Sequence, residues 1–227
     1  MGYTNSQLVS YTQISPNRTK NRTSIERFTP HCYVGQVSVE RIGKGWATYD
    51  GTNGTSANYG IGTDGRIGLY VEEKDRAWTS SSRDNDMRAI TVECASDTTA
   101  PYTINSKVYA SLVNLLEDVC KRNGKTKVLW FDDKEKSLSY KPAANEIVIT
   151  VHKWFRNKAC PGEYIYSRLG KIADEVNKRL NNVDNSVDEE EPIWQVVCGS
   201  FKDKTNAINR LNALKKAGFA AFIQGKI

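Results

Sequence analysis

The sequence predicts an α/β or α+β domain in which helices pack on a central β-sheet. Short β-rich runs (AITVECAS, KVLWF, EIVITVH) recur within the first 180 residues. Two stretches, Ser106 to Asn123 and Tyr164 to Leu180, carry apolar residues at helical spacing. The chain of 227 residues is 39% hydrophobic, enough to bury one sizeable core and too ordinary for wholesale disorder. At roughly 150 residues per domain, it holds one full domain and a smaller second part.

Taken in order, the residues to about Thr23 are polar and rich in Asn, Ser and Thr, and read as an ordered arm or a loose extension. SIERFTPHCYVGQVSVE interleaves Val, Phe and Tyr with polar residues and supplies one or two strands. Gly43 to Gly54 reads as loop. SANYGIGTDGRIGLYVEE reads as a hairpin, with Asp64-Gly65 as the turn between β-rich flanks. RAWTSSSRDND is a loop leading into AITVECAS, a buried strand. Val108, Leu112, Leu115, Leu116 and Val119 mark a helix that Ser106 caps and Asn123-Gly124 stops. KVLWF and EIVITVH are strands, the second delivering His152, and Ile165, Leu169, Ile172, Val176 and Leu180 mark the next helix.

Residues 181–192, NNVDNSVDEEEP, hold five acids and no base and read as a solvated linker. The remainder, 193–227, carries six bases against one acid, and its sequence reads strand, turn, helix, strand. Ala207, Leu211 and Leu214 lie on that helix and Gly218 ends it. Residues 1–180 therefore form the first domain, 1–23 being its arm. The overall charge of +6 conceals two basic modules joined by an acidic segment.

No apolar run approaches the ~20 residues a membrane span needs. MGYTNSQLVSYTQ has neither the basic start nor the apolar core of a secretory signal. Five scattered cysteines without such a signal argue against a disulfide scaffold and for a reducing compartment, where most of them pack as small hydrophobes. A nucleic-acid binder would rest on charge alone: zinc-finger spacing, a recognition helix and an RNA-binding signature are all missing.

Only two histidines, His31 and His152, are present, so any imidazole chemistry must use them. TVHKWFRNKACPGEY places His152, Lys158 and Cys160 within nine residues. Imidazole and thiolate are both good zinc ligands, but this spacing exceeds one helical turn, so a strand end and a loop must join them. Cys160-Pro161-Gly162 makes a turn before a helix whose start favours a thiolate. A third ligand is needed, and His31 is the only other histidine. On the residues alone two readings stand, a metal site and a pair of ordinary histidines.

Together TPHCYVGQ, SANYGIGTDG, AITVECASD and VHKWFRNKACPG resemble the zinc-dependent N-acetylmuramoyl-L-alanine amidases, whose fold is shared with peptidoglycan recognition proteins and many phage endolysins. The resemblance spans nearly all of residues 24–180, and the arm MGYTNSQLVSYTQISPN is similar to endolysins of phages or prophages of clostridia-like hosts. It implies a central mixed β-sheet flanked by helices and a Zn²⁺ held by His31, His152 and Cys160. Three protein ligands leave a fourth position open, as in catalytic sites. By position the family's catalytic carboxylate falls on Glu93, the general base toward the attacking water, and its basic residue on Lys158, beside the developing oxyanion.

The sequence also departs from the family. Ala57 stands where some relatives place a tyrosine, and Tyr59 is shifted by two, so no tyrosine role is assigned. Asn58 falls at a position often His or Asn, and Trp78, Arg83 and Asn85 are candidates for lining a groove that takes a glycan strand and stem peptide. The net positive charge suits an anionic Gram-positive wall. The tail resembles the first half of a SPOR peptidoglycan-binding module, a partial α+β unit. The function implied is a lytic amidase that accumulates in the host cytoplasm until a holin-type pore releases it. The alternative is a recognition protein that binds wall fragments without cutting them; animal relatives of that kind typically lack the zinc cysteine, so Cys160 favours the enzyme.

Overall fold

The structure is a computed structural model that describes residues 2–48, 54–181, 199–219 and 221. The chain divides into two units, Met1–Asn185 and Ser186–Ile227.

The first unit contains β1 (Val9–Thr12), β2 (Arg18–Thr19), β3 (Arg27–Cys32), α1 (Val39–Gly45), β4 (Tyr59–Ile61), β5 (Ile67–Leu69), β6 (Arg76–Ala77), α2 (Arg83–Arg88) and β7 (Ala89–Cys94). It continues through α3 (Ser106–Arg122), β8 (Lys127–Leu129), α4 (Lys134–Ser139), β9 (Glu146–Ile149), a 3₁₀ turn (His152–Trp154), α5 (Glu163–Tyr166) and α6 (Leu169–Asn181). Seven strands form one mixed sheet in the order β1-β5-β4-β7-β3-β9-β8, and β2 and β6 form a separate antiparallel pair. β4 and β5 are antiparallel, closed by the expected Asp64-Gly65 turn, and every other neighbouring pair in the large sheet is parallel.

Alternation along the central strands assigns the two faces. Phe28, Ile90, Val92, Cys94, Ile147 and Ile149 join the main core with Leu112, Leu115, Leu116 and Val119 of α3 and Leu169, Ile172 and Val176 of α6. A smaller cluster of Ile42, Trp46, Ala57 and Tyr70 seats α1. A Cβ on Gly60 would fall 2.9 Å from the Tyr70 ring and 3.2 Å from Ile42, so a glycine there lets α1 approach β4. The mixed central sheet flanked by helices is therefore the observed architecture.

Several local expectations change. Of the two readings of the arm the ordered one holds: β1 is an edge strand parallel to β5, and β2 pairs with β6. A buried carboxylate fastens it. Glu73 accepts hydrogen bonds from Arg122 at 2.6 and 3.1 Å and from the Tyr59 hydroxyl at 2.6 Å, while its own N–H donates to Asn5 Oδ1. Arg122 also donates to the Thr4 carbonyl, and the Ser6 N–H to the Tyr59 oxygen. Removing one partner of a buried ion pair strands the other charge, at a cost of about 3–5 kcal/mol. Arg122→Ala is expected to lose stability on that scale in urea unfolding, whereas removing the exposed Glu40–Arg66 pair should leave the unfolding midpoint close to wild type. Equal losses would show that the arm is not held this way.

VSVE opens α1 rather than a strand, and Gly43 and Gly45 lie on that helix rather than in a loop. Two glycines hide it from any propensity reading; the Ser38 side-chain cap and burial of Val39 and Ile42 form it. RDNDMR, expected as loop, is α2, capped by Ser82. Asn105, not Ser106, caps α3, accepting from the Lys107 and Val108 N–H groups at 2.9 and 3.0 Å. The helix expected over Tyr164 to Leu180 is two helices, α5 and α6, separated at Ser167 and Arg168.

In the second unit, α7 (Lys204–Lys216) begins at an Asp203 cap and is followed by Gly218 at φ +85°. The strand expected around Val196, the linker after Asn181 and nearly all of the strand expected after Gly218 lie outside the described residues.

Candidate metal centre

The C-terminal ends of β3, β7 and β9 lie side by side, where parallel α/β sheets bind their ligands. β3 and β7 are in register along their full length, so that His31 pairs with Glu93. On β3 and β7 the face opposite the main core is polar: Arg27, Thr29 and His31 alternate with core residues, as do Thr91 and Glu93. This layer is filled by hydrogen bonds. Thr29 and Thr150 share a contact of 2.8 Å between hydroxyls, and the Asn85 amide joins both at 3.1 and 2.9 Å. His31 stands at the open end of that layer.

His152 follows β9 in the 3₁₀ turn, which the stacked indoles of Trp154 and Trp130 brace at 5.4 Å and 3° between planes. The chain then loops back. The Lys153 N–H donates to the Cys160 carbonyl at 3.1 Å, and Tyr164 N–H to the Pro101 carbonyl at 3.1 Å. Gly162 sits at φ +82°, where a Cβ would fall 2.7 Å from the Tyr102 side chain, so only glycine lets the loop press onto that turn. α5 is a single turn that begins at Glu163, three residues after Cys160.

These elements bring His31, His152 and Cys160 together, with one ligand atom from each within 4.8 Å of the others. Cys160 Sγ lies 3.2 Å from His31 Nδ1, and the two imidazole centroids are 5.1 Å apart. Glu93 Oε1 is 3.9 Å from His31 Nδ1, and its Oε2 is buried with no hydrogen-bond partner among the described residues. Burial, then the charge of His152, holds the His31 imidazole well below the usual histidine range, and burial and the Lys158 charge lower His152. Both shifts favour the neutral ring, the form that ligates a metal. Burial, then the charge of Cys32, pushes the Glu93 carboxyl up to about 8. Lys158 is exposed on the 155–160 loop, near enough to His152 for its charge to act there.

The model of the N-acetylmuramoyl-L-alanine amidase family matches residues 8–163, more than half of the chain. The chain belongs to this family. Among solved structures it is similar to PlyL, at 15% identity and TM-score 0.50, covering 73% of this chain and 95% of that one. It is also similar to a mutant endolysin from Bacillus subtilis (14% identity, TM-score 0.49, 73% and 97% covered). A third is the N-acetylmuramoyl-L-alanine amidase LysC from Clostridium intestinale (17%, TM-score 0.46, 76% and 95%). No curated protein matches the sequence.

Within this amidase-family domain the groove candidates separate. Asn58 is fully buried: its carbonyl oxygen accepts from Arg22 and from the Thr91 N–H at 3.2 and 3.1 Å, and its amide donates to the Val71 carbonyl at 3.1 Å. Asn85 is equally buried, its carbonyl shared by Thr150 and Arg27. In this structure each amide presents no surface and serves the polar layer beneath the site. Trp78 is half-buried, its indole N–H donating to Thr19 Oγ1 at 3.0 Å, and Arg83 is exposed as the first residue of α2. Ala57 lies in the α1 cluster and the Tyr59 hydroxyl is committed to Glu73, so neither reaches the metal centre.

Sequence reasoning missed two neighbours of the His31, His152 and Cys160 cluster. Cys32, grouped with the packing cysteines, lies close enough to Cys160 for the two thiols to influence each other's ionisation. Its place beside His31 was the available signal. Cys94 and Cys120 do pack in the core, and Cys198 lies outside the described residues. The second is Ser81, whose hydroxyl lies 3.3 Å from His152 Nε2. Nothing in the run TSSSRDND distinguishes it from the serines on either side.

Proposed function

We propose that this chain is a zinc-dependent peptidoglycan hydrolase that cleaves the amide between the lactyl group of N-acetylmuramic acid and L-alanine. The observation that carries the reading is the cluster of two imidazoles, one at the end of β3 and one just after β9, with the Cys160 thiol from the following loop and a carboxyl group beside it on β7. The donor set fits zinc. Zinc at about 2.3 Å from sulfur and about 2.0–2.1 Å from nitrogen places its ligand atoms roughly 3.3–3.6 Å apart. The 3.2 Å between His31 Nδ1 and Cys160 Sγ is close to that spacing. When bound, zinc supplies Lewis acidity toward the amide carbonyl and lowers the pKa of a water.

The chain's residues do the rest. Glu93 takes a proton from the water that adds to the amide carbon and returns it to the alanine nitrogen as the C–N bond breaks. A nearby cation favours the ionised form of this buried carboxyl, and so readies it as a base. Lys158 brings positive charge to the open side, where the carbonyl oxygen becomes anionic. The intact Cys160 argues against a binding-only recognition protein.

The arm's likeness to endolysins of clostridial phages supports a lytic role, with synthesis in the host cytoplasm and release through a holin-type pore. Among the described residues no helix is long and apolar enough to cross a membrane. The acidic segment and the basic, SPOR-like tail carrying α7 would form a second wall-binding module that holds glycan strands. The test is hydrolysis of purified clostridial-type wall. New L-alanine amino groups should appear and a chelator should stop their release; reducing sugars in their place would overturn the bond assignment.

A further inference from the structure

Ser81 occupies an unusual place. It is a non-glycine residue at φ +63°, a conformation L side chains rarely adopt, and it lies on the turn before α2. The turn is clamped on both sides of it. Ahead of it, the buried Asp86 carboxylate accepts from the N–H groups of Thr79 and Ser80 at 3.0 and 3.1 Å. Behind it, the Ser82 N–H donates to Ser80 Oγ at 3.3 Å, and Ser82 Oγ accepts from the Asn85 N–H that opens α2, also at 3.3 Å. Strain held by so many contacts calls for a role.

What the turn delivers is one hydroxyl. Ser81 Oγ lies 3.3 Å from His152 Nε2, and a hydrogen bond there leaves Nδ1 as the other ring nitrogen. The partner on the far nitrogen of a ligating imidazole selects its tautomer and fixes its ring plane. We propose that Ser81 is a positioning residue for the metal centre: it accepts the Nε2–H of His152 and thereby presents Nδ1 as a ligand. Asp86 and the α2 start act through Ser81 by holding its backbone. The inference rests on the zinc reading above. It adds that the loop feeding the Glu93 strand also sets the geometry of a ligand on the opposite side of β3.

The experiment compares Ser81→Ala and Ser81→Gly with the full-length wild type, by chelator competition for zinc and by the visible absorption of the cobalt-substituted protein. Both variants lack the hydroxyl, but glycine removes the backbone strain. Both are expected to bind zinc at least ~10-fold more weakly and to shift the cobalt bands, with unfolding of the metal-free proteins showing no loss of fold. Loss in the alanine variant alone would place the effect in the backbone and overturn the proposal; so would wild-type affinity in both. A wild type that binds no zinc, or a Cys160→Ala variant that keeps it, would sink the metal reading and this proposal with it. Those outcomes differ from failure of Ser81 alone, in which the wild type binds zinc and only the serine is indifferent.

Discussion

Glu93→Gln should leave the fold and zinc content of wild type intact and lower the rate of wall hydrolysis by about 10²–10⁴. Glutamine keeps the shape of a side chain that is only 16% exposed and in register with His31, so packing at the β3–β7 seam is preserved. What it loses is an oxygen able to take up and return a proton. Zinc content and turnover must be measured on the same preparation, because the prediction is their separation. Activity within tenfold of wild type would remove Glu93 from the reaction. Loss of zinc along with activity would make it a ligand instead, a role its 3.9 Å approach to His31 Nδ1 does not assign.

Cys160→Ser should abolish stoichiometric zinc and hydrolysis together, while Cys32→Ser keeps one zinc per chain. Both sulfurs lie at the end of β3, and only Cys160 belongs to the three-residue group. Serine is nearly the size of cysteine but a far weaker ligand at neutral pH, since its hydroxyl does not ionise there. Elemental analysis separates the pair, and thermal unfolding provides a second readout. A ligand bound only by the native state raises the melting temperature, so a chelator should lower it for wild type and Cys32→Ser and leave Cys160→Ser unmoved. Zinc lost from Cys32→Ser would instead make the centre a closed four-ligand site, unsuited to catalysis.

Much of the central sheet was legible because its signals are local. AITVECAS, KVLWF and EIVITVH are β-rich over their whole length, and the Asp64-Gly65 turn closes its hairpin without outside help. Elements that depend on distant partners were not legible. The polar arm leaves an ordered arm and a loose extension both open until Glu73 and Arg122, which follow it by about 70 and 120 residues, bind it. α1 and α2 have poor helical sequences, and side-chain caps and tertiary contacts decide them.

The same division runs through the site. The sequence by itself determined the candidate donor types, because only two imidazoles exist and one lies eight residues from a cysteine that precedes Pro-Gly. Donor chemistry belongs to the residue type and survives any fold that gathers the donors. Whether Asn58 and Asn85 reach the surface, which of two cysteines joins the two histidines, and which of three serines faces His152 depend on burial and on approach across long chain separations. Ser81 meets His152 from 71 residues away and Cys160 meets His31 from 129. No local pattern encodes such contacts; only the packed sheet, with its loops pressed onto one edge, decides them.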